Sequence, residues 1–201
     1  MPPLSHVRQA GVTLVEMLIG VAILGVLLAV AVPSLTNMME RRRVVAAAGE
    51  IASIFVQARA EATSLGSGKL NLHLQPVPAS VGDFSCVRLS TAEAIDVCRC
   101  NRAANKVCSI GNSRLLREYL LPKDSSVTFS ASGDWHPDFP YAVTFKRGSY
   151  LTDVENVRVT VTGSRTQAKL RVEYINSGRV RTCSPDGSMS GYPICSAQGG
   201  A

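Results

Sequence analysis

Charge is scarce in this chain: Asp, Glu, Lys and Arg make up 18% of its 201 residues, against about 25% in an ordinary soluble domain. With so little charge and a positive mean hydropathy, intrinsic disorder is excluded and a membrane segment is expected. Aromatic residues are also few, at 5%. There are three histidines, His6, His73 and His136. None has a partner at a recognisable spacing, so each reads as a surface residue rather than a base or ligand. No phosphate loop, GxSxG or HExxH occurs, so no catalytic residue, enzyme activity or cofactor is expected. The six cysteines form no CxxC knuckle, which disfavours a zinc site built from Cys86, Cys98, Cys100 and Cys108. Internal repeats and low-complexity tracts are absent.

Long apolar runs are what the chain does have. Between Arg8 and Glu40 the only charged residue is Glu16, and Met17 to Val32 carries no strongly polar side chain. As a helix, Val12 to Val32 would span about 32 Å, matching a hydrocarbon core of about 30 Å. A buried core helix would seldom stay apolar all round for that length. A cleaved secretory signal would have a shorter apolar region, and the nearest small-residue site, Ala29-Val30-Ala31, lies inside the run.

The order of residues at the start of this run is more specific. A short leader, residues 1–11, ends in Gly11 and is followed by Val12-Thr13-Leu14-Val15-Glu16 and the apolar helix. This resembles the class III signal of type IV pilins and type II secretion pseudopilins, and the resemblance implies that prepilin peptidase cuts after Gly11. Val12, standing where that family usually has Phe, would become the N-methylated first residue, and Glu16 the acidic residue that pairs with the amine of a neighbouring pilin subunit. A carboxylate near the end of a membrane helix is costly unless partnered; snorkelling at the interface is the other reading of Glu16. The resemblance also implies an inner-membrane protein with its C-terminal domain in the periplasm, entering a pilus or pseudopilus after assembly.

Beyond Pro33 the helical pattern resumes, with Val44, Ala48, Ile51, Ala52, Phe55, Ala58 and Ala62 recurring at steps of three and four. Gly66-Ser67-Gly68 would stop it. The expectation is one long helix of about 53 residues and some 80 Å, kinked at Pro33. It would comprise a membrane segment at 12–32 and a periplasmic segment at 33–65, with a β-rich domain at 66–201. Ala58-Arg59-Ala60-Glu61-Ala62 resembles the helix end common in the FimT/GspH branch of minor pilins. Arg41-Arg42-Arg43 follow the apolar run whereas only Arg8 precedes it, and a literal count of flanking cations would keep the C-terminal domain in the cytoplasm. The processing signal and the cysteines point outward.

All six cysteines lie beyond the helix, an even number that suits a disulfide-permissive compartment. Cys183 and Cys195 enclose a short loop with two prolines and two glycines and are the first pair expected. The connectivity of Cys86, Cys98, Cys100 and Cys108 stays open. From Lys69 onward the period changes to two. Leu70 to Leu74, Val157 to Thr162 and Lys169 to Tyr174 read as half-buried strands, with further candidates at Val127 to Ser130 and Ala142 to Lys146. Ser80 to Ser113 reads as an irregular insertion. The fold class is α+β: a long N-terminal helix packed on an antiparallel β domain.

Charge is uneven along the chain. Residues 158–201 carry six basic and two acidic groups, which suggests an anionic partner or simply solvated charge. Gly178-Arg179-Val180-Arg181 follows the strand Lys169 to Ile175. In extended backbone Arg179 and Arg181 would share a face about 7 Å apart and could grip successive phosphates; Lys169 and Arg171 would extend that surface. The segment resembles the GRxR element of FimT-type minor pilins, which implies sequence-independent binding of the DNA backbone during natural transformation. The alternative is a structural GspH-type subunit of a type II secretion pseudopilus or a pilus tip, whose basic end contacts other pilins or cargo.

Overall fold

The computed structural model describes residues 12–65, 70–78, 84–94, 98, 108, 111–135, 138–175 and 177–196. The chain divides into two compact units, Met1–Met39 and Glu40–Ala201. In the first, helix α1 (Leu14–Ser64) starts two residues later than the hydropathy suggests. Thr13 is its cap: the Thr13 hydroxyl accepts from the Glu16 N–H at 3.2 Å, satisfying a donor that has no partner inside the helix. Glu16 lies in the first turn, where the helix dipole favours a negative charge. The most apolar 18-residue stretch of α1 has none of its residues buried. Pro33 lies within the helix.

In the second unit, α1 buries Val44, Ala48, Ile51, Phe55, Ala58 and Ala62 of the stripe that the three-and-four spacing predicts; Ala52 is only partly buried, and Ala47 and Ile54 join the buried face. Among the described residues eight strands follow: β1 (Asn71–Val77), β2 (Phe84–Ala92), β3 (Arg114–Pro122), β4 (Val127–Ser132), β5 (Val143–Phe145), β6 (Val157–Gly163), β7 (Lys169–Tyr174) and β8 (Val180–Cys183). They form two four-stranded sheets, ordered β3-β2-β1-β5 and β4-β6-β7-β8, in which all neighbours are antiparallel. One apolar core joins the helix stripe to both sheets, through Leu72, Leu74, Val87 and Leu89 of one and Val159, Val161, Leu170 and Val172 of the other. The class is therefore α+β, a pilin-like architecture.

Three expectations need correction. The stretch from Ser80 to Ser113 is not wholly irregular, since it contains β2, nine residues paired on both edges. Polar residues on one side of that strand hide its period: Arg88 and Ser90 are buried as fully as Val87 and Leu89. Strand β1 is not half-buried, because His73 and Gln75 are covered as well as Leu72 and Leu74. His73 is consequently not a surface residue. Its Nδ1 lies 3.1 Å from the Thr144 hydroxyl on β5, and burial pushes its pKa down, which leaves a neutral imidazole. His6 and His136 lie outside the described residues, as do Gly66 to Gly68.

Two arginines of the basic cluster after the apolar run are anchored on the β domain. Arg41 donates to the Ser188 carbonyl at 2.8 Å and Arg43 to the Ser126 hydroxyl at 2.8 Å. These contacts give the cations a folding role.

Candidate functional site

The sheet β4-β6-β7-β8 separates apolar and basic chemistry by parity. Val159, Val161, Leu170, Val172 and Tyr174 enter the core, so the alternate residues of β6 and β7, Arg158, Lys169, Arg171 and Glu173, stand on the opposite face. Register places Glu173 of β7 opposite Arg158 of β6 and Arg181 of β8. The three form a row across the sheet, and Arg171 is two residues before Glu173 on the same strand.

Glu173 is the centre of this face and is 4% exposed. Its Oε2 lies 2.7 Å from Nη2 of Arg181, and its Oε1 lies 3.7 Å from Nη1 of Arg171 and 3.9 Å from Nε of Arg158. Three guanidiniums around one carboxylate leave a net charge of +2 on side chains held in place. Arg171 also donates to the Thr160 hydroxyl at 3.3 Å, and Arg181 to the Ser196 hydroxyl at 2.9 Å. Lys169 Nζ is 3.6 Å from Oδ2 of Asp186. Hydrogen bonds from Ser188 and the charge of Lys169 hold the Asp186 carboxyl below its usual range, so that carboxyl is ionised at neutral pH.

The GRxR segment is divided by the fold. Gly178 closes the β7–β8 turn, its N–H donating to the Ile175 carbonyl at 2.8 Å, with φ of +73°, a conformation that favours glycine. A Cβ at this position would sit 2.6 Å from the Tyr150 ring. Arg179 follows the turn, its carbonyl accepting from the Ile175 N–H at 3.2 Å, and it is exposed. Arg181 lies within β8 and is committed to Glu173. The two arginines are thus not equivalent, because register sets a buried carboxylate opposite one of them only. Sequence pattern could not weigh this: Glu173 looks like an ordinary solvent-facing residue of an alternating strand.

The loop after β8 is pinned to this sheet. Cys183 is joined to Cys195, and the Ser184 N–H donates to the Pro193 carbonyl at 2.8 Å. The Ser188 hydroxyl receives the Lys169 N–H at 2.9 Å. The ligand atoms of Glu173, Cys183 and Cys195 lie within 4.8 Å of one another, but both sulfurs are consumed by the disulfide and the trio offers a metal no thiolate. Cys98 is joined to Cys108. Cys86 is also disulfide-bonded; Cys100 lies outside the described residues.

At the other end of the chain, Val12 and the apolar residues after it are exposed, while Gly11 lies outside the described residues. Residues 7–32 match the model of the prokaryotic N-terminal methylation motif. Comparison with curated proteins and with solved structures found no match to the chain. The motif indicates a type IV pilin-like or pseudopilin protein, and together with the exposed apolar helix it suggests membrane anchoring. They imply processing by prepilin peptidase and assembly with other pilins.

Proposed function

We propose that the chain is a FimT-like minor pilin that carries DNA on the outer face of the sheet β4-β6-β7-β8. Cleavage after Gly11 would free the Val12 amine for methylation, and Glu16 would meet the amine of a neighbouring subunit in the filament. The observation that carries the DNA reading is the set of arginines around Glu173. Arg158, Arg171 and Arg181 keep a surplus of two positive charges over the carboxylate that orients them, and exposed Arg179 stands at the adjoining turn. Preoriented guanidiniums suit phosphate oxygens, and contacts of this kind position a protein on DNA without reading bases. Lys169 would contribute less, being paired with Asp186.

A second reading rests on the same ion pairs. In a structural subunit of a type II secretion pseudopilus or a pilus tip, Glu173 and Asp186 would neutralise the sheet internally and the remaining cations would contact other pilins. Binding of duplexes of unrelated sequence by the detergent-solubilised full chain, measured over a range of salt, separates the two. The DNA reading expects similar affinity for every sequence and a linear fall of log affinity with log salt. Absence of salt-dependent binding would overturn it in favour of the structural subunit.

A further inference from the structure

Tyr150 stands at the meeting point of α1, the loop after β5 and the β7–β8 turn. Its ring lies against Gly178, where a Cβ would approach to 2.6 Å, and Arg59 of α1 places its guanidinium carbon 5.9 Å from the ring centroid. The buried Tyr174 hydroxyl donates to the Tyr150 carbonyl, and burial pushes the pKa of Tyr174 up to about 12, so that donor keeps its proton at any physiological pH. The backbone beneath the ring is therefore fixed, yet Tyr150 remains 40% exposed. Few aromatic rings are available in this chain, and Phe55, Phe145 and Tyr174 are spent in the core.

Arg59 is in cation–π reach of the ring, and further cations adjoin it along the chain, among them Arg147, whose Nε donates to the Asn71 side-chain carbonyl at 3.2 Å. Arg179 follows Gly178 directly. Lys146 and Arg147 are exposed in the turn that leads to Tyr150, closed by the Ser149 N–H on the Lys146 carbonyl at 3.1 Å. An exposed ring flanked by cations is the arrangement by which proteins hold unpaired bases: the ring takes the base face and the cations take the phosphates on either side. A base inside a duplex already has stacking partners and cannot offer its face to the ring.

We infer that Tyr150 is a stacking platform for an unpaired base, and that with Arg59 and Arg179 it forms a single-strand subsite beside the basic sheet. This inference rests on the DNA reading and deepens it, assigning to Tyr150 a preference that phosphate contacts alone do not produce.

The test uses the detergent-solubilised full chain with oligothymidylate, a duplex of mixed sequence, and a single strand carrying 2-aminopurine, whose fluorescence falls on stacking. Tyr150→Phe keeps the ring; Tyr150→Leu keeps an apolar side chain against Gly178 without one. The expected result is that Tyr150→Leu weakens oligothymidylate binding about tenfold and abolishes the fluorescence quenching, while duplex affinity is unchanged and Tyr150→Phe behaves as the parent. If the parent binds duplex but quenches no 2-aminopurine, or if Tyr150→Leu binds oligothymidylate as the parent does, Tyr150 is only a plug on the turn and the inference falls while the DNA reading stands. If the parent binds neither form, both fall.

Discussion

Glu40 of α1 accepts two hydrogen bonds from Thr166 on the β6–β7 turn, from its N–H at 2.7 Å and from its hydroxyl at 2.8 Å. The Arg165 N–H donates to the same carboxylate at 3.1 Å. The carboxylate thereby fastens the helix to the turn that joins two central strands of the basic sheet. Glu40 is 5% exposed, and that burial would raise its pKa, but the bonds from Thr166 and Arg165 and the charge of Arg165 prevail and hold it below the usual range. The ionised form is the one the fold stabilises.

Glu40→Gln should lower the stability of the second unit by about 1–3 kcal/mol, because an amide can accept fewer of these bonds and adds a donor among donors. The parent should also lose stability in acid. A depressed folded pKa means that the unfolded chain binds the proton first, so the contribution is complete above the ordinary Glu value of about 4.3 and is lost as pH falls through the lower folded value. Denaturant unfolding followed by Trp135 fluorescence at several pH values checks this. A parent and variant with the same acid dependence would show that Glu40 has no part in it.

Gly163→Ala should act through the same carboxylate. A Cβ there would lie 2.5 Å from Oε1 of Glu40 and 2.9 Å from the Thr166 hydroxyl oxygen, which forces the carboxylate out of its seat. The expected loss is about 1–3 kcal/mol, and in the Glu40→Gln background it should be clearly smaller. A double-mutant cycle reads the coupling directly, and additive losses would place the cost in the backbone instead.

Arg179 and Arg181 should separate stability from DNA binding. Arg179→Ala should change stability by less than about 0.5 kcal/mol and reduce the salt slope of duplex binding by about 0.9. Arg181→Ala removes the nearest partner of the buried Glu173 and should cost about 1–3 kcal/mol in unfolding. Equal destabilisation by the two variants would contradict the assignment of Arg181 to Glu173.

Processing and assembly test the N-terminal segment. Intact mass of the mature protein should correspond to a start at Val12, and a bulky residue at Gly11 should block cleavage without preventing membrane insertion. Glu16→Ala should be cleaved normally but enter filaments poorly, as counted in sheared pilus fractions. A mature start after Ala31 would remove the pilin reading; normal assembly of Glu16→Ala would reduce Glu16 to a charge at a helix N-terminus.

What the residues determine by themselves in this protein is whatever depends on local period and composition. The apolar run from Met17 to Val32, the helix stripe of Val44, Ala48, Ile51 and Phe55, and the alternation in β4, β6 and β7 each encode a solvent preference that needs no partner to be read. Tertiary structure decided everything that depends on which strand lies beside which. Strand β2 escaped the period-two reading because both of its faces are covered, including the one that carries Arg88. Arg179 and Arg181 differ because the first stands at the turn before β8 and the second lies within β8, where antiparallel register sets Glu173 opposite it. Glu40 becomes a fastening only when Thr166, 126 positions away, folds onto it. A carboxylate's role is set by the donors that reach it: those of Glu40 come from a turn far along the chain, and Glu173 has Arg171 on its own strand but receives Arg158 and Arg181 from the two neighbouring strands.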